Sequence, residues 1–217
     1  MAATVAPSGD FEIADALSYG WDRFKANIGP LAITVAVVIF VEIVLSVISS
    51  GRTGFGGFIL SLVTFLIGQI IAMGWVRISL NIVGGRPAGV SDMWERLDLF
   101  VPYVVAAIIF SVMVGIGFIL LIVPGVYLAL TFGFYGFNVM DREMGALDAL
   151  KRSAELTRGR KWKLLAFWVT ILFLNLLGLI LLVVGVLVTA GVSLIAVGYA
   201  YRSLEGARPP LQPSPQT

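Results

Sequence analysis

DREMGALDALKRSAELTRGRKWK, residues 141–163, separates two strongly apolar blocks. It collects seven of the fifteen lysines and arginines: Arg142, Lys151, Arg152, Arg158, Arg160, Lys161 and Lys163. Segments this basic stay on the cytoplasmic side of a membrane, so one stretch orients the whole chain. Met144, Leu147, Leu150 and Ala154 recur at helical spacing, and Asp148 stands four residues before Arg152. This predicts an amphipathic helix with an ion pair on its polar face and Gly159 as its stop. Asp141 and Glu143 are expected to favour a helix start through its dipole.

The rest of the chain suits a bilayer. Of 217 residues, 59% are hydrophobic and 13% charged, against about 25% charged in a soluble domain. Cysteine and histidine are both absent, which removes disulfides, thiolate chemistry, imidazole metal ligation and histidine general-base catalysis. A net charge of +2 is too small to imply nucleic acid. The cations cluster beside apolar spans, where anionic lipid headgroups are the natural counter-charge. The opening MAATVAPSGD lacks a basic start and an apolar core, so the first span is expected to act as its own insertion signal.

Residues 11–27 place Ile13, Leu17, Trp21 and Phe24 on one stripe, as in a helix lying at the membrane interface, with Asp10 as N-cap. A first span, about 28–50, meets the roughly 20 residues that a bilayer core requires. The glycine-rich link 51–57, with Arg52, suits an outer turn, and a second span returns over about 58–83. SDMWERLDLF, residues 91–100, reads as a second interfacial helix capped by Ser91. The apolar block 101–140 is about 40 residues, twice one span. It is expected to fold back at Pro124-Gly125, giving spans 101–123 and 126–140. Residues 164–201 form a similar block. GLILLVVGV, residues 178–186, echoes GFILLIVPGV, residues 117–126, and places that turn near Val184 and Gly185.

The expected fold is therefore an all-α, polytopic membrane helix bundle: six transmembrane helices as three hairpins, each preceded by an amphipathic interfacial helix. One domain, 11–205, would hold three repeats at about 11–83, 90–140 and 141–204, between an N-terminal tail, 1–10, and a disordered proline-rich tail, 206–217. Asp-Ala-Leu recurs at 15–17 and 148–150. Both termini are expected in the cytoplasm, with Trp21, Trp94 and Trp162 as interfacial anchors in an inner membrane.

Glu42 is the costliest residue in a span. Counting inward at 1.5 Å per residue, Glu42 and Gln69 lie roughly 20 Å deep, and Asn175 and Ser111 about 15–18 Å. Glu42, Gln69, Ser111 and Asn175 form a candidate polar layer, read either as a solute, ion or proton site or as a clasp between spans. Gly68 with Ala72, Ser111 with Gly115, and Thr189 with Ser193 are spacings that permit close helix packing. Arg77 is expected to reach headgroups and, with Lys151, Arg152, Arg158, Arg160, Lys161 and Lys163, to contact anionic lipid or a partner. No phosphate-binding loop, nucleophile elbow or paired carboxylates occur, so no enzymatic activity and no cofactor are expected.

The run 121–186, with its Val-Pro-Gly-Val-Tyr turn, its Ala-Leu-Asp-Ala-Leu-Lys-Arg-Ser helix and its Thr-Arg-Gly-Arg-Lys-Trp entry into the fifth span, resembles a widespread group of bacterial multi-pass membrane proteins of unknown function. That group includes the membrane domain fused or related to some glycerophosphoryl diester phosphodiesterases. The resemblance implies a six-span helical membrane protein and transfers no catalytic residue.

Three functions stay open at this point. One is a non-catalytic scaffold that organises lipid or docks a protein partner or a second copy of itself. Another is a small transporter or channel component built around Glu42, and the third is an accessory subunit of a larger membrane complex.

Overall fold

A computed structural model describes residues 11–49, 54–86, 89–180 and 182–206. Asp10, Arg52, the side chain of Glu42 and the tail 207–217 lie outside the described residues. In chain order the helices are α1 (Ile13–Ala26), α2 (Ile28–Ser49), α3 (Gly54–Val83), α4 (Phe100–Leu120), α5 (Ile122–Phe132), α6 (Tyr135–Arg142), α7 (Ala146–Thr157), α8 (Lys161–Ile180) and α9 (Leu182–Leu204). Two 3-10 turns, Val90–Trp94 and Leu97–Leu99, join α3 to α4. The described residues are all-α, and six stretches are long and apolar enough to cross a membrane: Leu31–Ile48, Gly54–Val83, Leu97–Leu120, Ile122–Arg142, Lys161–Ile180 and Gly185–Leu204.

The reversal in the first apolar block comes earlier than Pro124. Helix α4 ends at Leu120, Leu121 is extended, and α5 starts at Ile122 with Pro124 inside its first turn. The first turn of a helix has no use for the proline N–H, so proline begins the returning helix instead of making the turn. In the second block α8 ends at Ile180 and α9 starts at Leu182, ahead of Val184. The two hairpins close in the same manner. A Cβ on Gly117 would lie 2.9 Å from Gly125 Cα, and one on Gly178 would lie 2.9 Å from the Gly185 carbonyl oxygen. The echoed sequences thus place glycine where paired helices touch.

The short helices α1 and α7 run antiparallel against α9 and α6. Tyr19 meets Tyr199 with ring centroids 4.9 Å apart, a Cβ on Gly20 would sit 2.8 Å from the Val192 carbonyl oxygen, and Phe24 covers Gly191. Helix α7 passes along α6: Asn138 Nδ2 donates to the Ala149 carbonyl at 3.0 Å, and Ser153 Oγ accepts from Phe134 N at 3.1 Å. The buried stripes are rotated from the expected ones. In α1 they are Ala16, Gly20 and Phe24, with Trp21 exposed; in α7 they are Ala149, Leu150, Ser153, Leu156 and Thr157, with Leu147 exposed. The alanine of both Asp-Ala-Leu tripeptides is 0% exposed. Close helix contact selects the smallest side chains, which a count of large apolar residues passes over.

The fourth span, longer than expected, is divided. Between α5 and α6, Gly133 and Phe134 interrupt the helix, and the backbone groups released there are taken up by α7. Ser153 Oγ and Thr157 Oγ1 donate to the Thr131 carbonyl at 3.0 and 3.2 Å. The second interfacial helix is likewise a pair of 3-10 turns, and its cap is not Ser91. Asp92 Oδ2 accepts from Gly89 N and from Asn81 Nδ2, each at 3.1 Å, which ties the turn to α3.

Of the small-residue pairs, Thr189 and Ser193 are buried, and Thr189 sits against Gly178; a Cβ on Gly68 or Gly115 would meet nothing within 4 Å. Gly178→Val, whose Cβ would fall 2.2 Å from Thr189 Oγ1, should destabilise the bundle by about 1–3 kcal/mol. Gly68→Val should leave the thermal midpoint in mild detergent unchanged; equal midpoints for the two variants would remove the hairpin contact from the account.

Candidate functional site

The charged residues of the connecting segments converge where α6, α7 and α9 meet. Arg202, near the end of α9, grips Asp141 with two hydrogen bonds, Nη2 to Oδ1 at 2.7 Å and Nη1 to Oδ2 at 2.9 Å. Tyr201 donates its hydroxyl to the same carboxylate at 3.2 Å. Asp141 therefore closes α6 onto α9 instead of favouring a helix start. Glu143 follows α6 in the left-handed region, φ 54°, and pairs with Arg96 at 3.0 Å.

Glu205 is enclosed, its side chain 1% exposed. It holds Arg142 and accepts from Arg152 Nε at 3.2 Å. Arg152 also reaches Glu155 at 3.2 Å, whereas Asp148 pairs with Lys151 at 3.5 Å. The expected Asp148–Arg152 pair is replaced because Arg152 faces the end of α9, a segment distant in sequence. Arg202, in the last turn of α9, and Glu205, just beyond it, thus form a structural clasp.

The other expected lipid contacts divide into two groups. Arg77 is taken by Glu95, Nε to Oε2 at 2.8 Å, with its side chain only 14% exposed. The Arg77 hydrogen bond, then its charge, holds the Glu95 carboxyl below its ordinary range. Lys163 reaches Glu12 at 3.4 Å, and Lys161 stands 3.3 Å above the Tyr127 ring. Arg158 and Arg160 flank Gly159, φ +78°, and have no acidic partner among the described residues. Beside them Trp162 is 85% exposed.

The candidate polar layer is not drawn together by hydrogen bonds among the described residues. Asn175 Nδ2 donates to Ser193 Oγ at 2.8 Å, across α8 and α9. Ser111 is exposed and Gln69 half-buried; neither bonds to Asn175. Glu42 lies outside the described residues. A further polar group inside a span, Asn138, is fully buried, and its Oδ1 has no partner among the described residues. An amide within an apolar span was a visible signal for it. Nothing in local sequence pointed to Glu205, Asp141 and Arg202, whose partners lie far along the chain.

Chemically the cluster is a saturated one. Each buried acid faces arginine, and among the described residues no three acidic side chains gather as a cation would require. One concavity, about 230 Å³, lies between α3, α6, α8 and α9, with Trp75, Phe137, Trp168, Ile171, Ser193 and Val197 in its lining.

Glu205→Gln should cost about 1 kcal/mol of stability, since it takes the shared carboxylate from two half-exposed arginines, which water screens in part. Lys151→Gln, from an exposed pair, should cost nothing measurable in the same thermal or denaturant titration. Glu95 gives a pH test. Its folded-state pKa is lowered from 4.5, so its contribution is complete above that value and is lost as pH falls through the lowered one. Glu95→Gln should flatten the acid limb of the stability curve while leaving its shape at neutral pH unchanged.

No family description matches the chain, and no solved structure does. It is similar to the uncharacterized protein Rv2560 of Mycobacterium tuberculosis, 25% identical over 231 aligned positions that take in 93% of this chain and 71% of that one. The uncharacterized protein Mb2590 of Mycobacterium bovis is 24% identical over the same shares of both chains. No link to glycerophosphoryl diester phosphodiesterases accompanies these matches, so the resemblance reaches no further than a helical, membrane-like protein of unknown function.

Proposed function

We propose that the chain is a non-catalytic integral protein of the bacterial inner membrane, with cytoplasmic termini, that organises anionic lipid at its cytoplasmic face. The supporting observation is how the cations are used. Arg77, Arg142, Arg152 and Arg202 are each engaged by a carboxylate of the same chain. The exposed Arg158 and half-buried Arg160, close to the exposed Trp162, are left without a carboxylate among the described residues at the α7–α8 elbow. Cation beside tryptophan is the chemistry of a headgroup contact. In this reading the three units are repeats of an amphipathic helix followed by a hairpin, and the buried clasp keeps the elbow rigid.

A second reading, an accessory subunit of a larger membrane complex, is favoured by α3. No residue from Gly54 to Ala72 is buried, whereas most residues from Met73 to Val83 are, so half of the helix has room for another membrane helix. Size measurement in mild detergent and co-purification from native membrane test it.

Neutralising both Arg158 and Arg160 to glutamine should reduce enrichment of phosphatidylglycerol over phosphatidylcholine in the retained lipid by about fivefold per arginine, from ~1 kcal/mol each. The melting point should not change. Unchanged enrichment in a folded variant refutes the lipid-organising reading. A reporter at Arg52 or Leu121 should lie outside the cytoplasm.

A further inference from the structure

One stripe of α3 is covered along half its length and bare along the other half. Met73, Val76 and Leu80 lie on it and are buried in the chain's own core. The stripe continues back through Gln69, Phe65, Leu62 and Phe58 at steps of four, three and four. There the chain leaves it uncovered: Phe58 is 66% and Leu62 49% exposed. Steps of four and three make the seam of a left-handed helix pair, in which a single polar residue fixes register and the number of helices.

Gln69 is the polar member of this seam. Its amide makes no hydrogen bond among the described residues and is not enclosed by them, whereas the amide of Asn175 reaches Ser193. Headgroups and water are out of its reach. Taking about 1.5 Å per residue, Gln69 stands about 12 Å along the helix from Arg77 and about 22 Å from Gly54. Arg77 marks the polar boundary, since its guanidinium meets the exposed Glu95. An acyl chain at the level of Gln69 has neither donor nor acceptor, and an amide left unpaired in hydrocarbon is costly. A second copy presents the same amide at the same depth, because both copies insert in one orientation. A two-fold axis along the membrane normal sets the two seams face to face, and each amide then donates to the carbonyl of the other. We infer that two copies of this chain pair in the bilayer through the uncovered half of α3, with the two Gln69 amides hydrogen-bonded to each other. The inference rests on the reading in which α3 receives another membrane helix, names that helix, and does not need the arginine elbow.

The chain has no cysteine, so single replacements report contacts directly. In phosphatidylcholine vesicles treated with copper–phenanthroline, Phe65→Cys should give a disulfide-linked dimer. Ile67→Cys, on the opposite side of the helix, should not. Energy transfer between copies carrying a donor or an acceptor at the N-terminus, followed as lipid is added, measures the strength of the pair. Gln69→Leu should weaken it about fivefold, the scale of hydrogen bonds between spans, and Gln69→Asn should keep it, with the melting point unchanged in both. Arg158→Gln with Arg160→Gln should leave pairing intact, which separates failure of the elbow from failure of the seam. Transfer no greater than random at every dilution, full-strength pairing in Gln69→Leu, or equal coupling of the two cysteine variants overturns the proposal. A lowered melting point for Gln69→Leu with unchanged pairing assigns the amide to Glu42 of the same chain and overturns it as well. Linkage of the Phe65→Cys variant to a different protein in native membrane, in place of a second copy, overturns it in favour of the accessory-subunit reading.

Discussion

A helix interrupted within an apolar stretch of spanning length must hand its released backbone groups to something other than water, and this constraint organises the structure. The interruption at Gly133 and Phe134 leaves the Thr131 carbonyl and the Phe134 N–H to be satisfied from outside the span. Ser153 and Thr157 of α7 do so. The basic helix is thereby locked in position, and everything attached to it follows. Arg152 is brought to Glu205, the end of α9 is drawn to α6, and the elbow after Thr157 leaves Arg158 and Trp162 exposed.

The same constraint explains why the cations differ so much in surroundings despite their proximity in sequence. A guanidinium facing the bundle needs a carboxylate, and Arg142 and Arg152 share Glu205 to meet that need. Arg202 has Asp141. Such pairs add specificity of arrangement more than net stability, because removing charges from water offsets most of their attraction. Arg158, outside the packed side, is exposed and has no carboxylate partner among the described residues. The pairing of Arg152 inside the bundle and the exposure of Arg158 outside it are two outcomes of one rotation of α7.

Packing adds a second level. The antiparallel contacts of α1 with α9 and of α7 with α6 use alanine, glycine and serine at the centre, with Phe11, Phe134, Phe137, Phe167 and Tyr201 filling the space around them. Phe137 and Tyr201 stack at 5.0 Å, directly beneath the Asp141–Arg202 pair. Small residues let backbones approach, and aromatic rings close the gaps that approach leaves. The short helices are thus packed on their buried faces, while no residue of α3 before Met73 is buried.

Hydropathy is local and additive, and the sequence alone was enough to determine an all-α chain with six apolar stretches of spanning length and to single out the basic segment, with Gly159 as its stop. Contacts between helices are neither local nor additive, and there only the tertiary structure decided. It rotated the buried stripes onto Ala16, Gly20 and Ala149, moved the reversal from Pro124 to Leu121, and paired Arg152 with Glu205 instead of Asp148. The signs of the charges were legible throughout. Which charge faces which depends on the angle at which two helices cross, and that angle is set by small side chains whose own hydropathy says little.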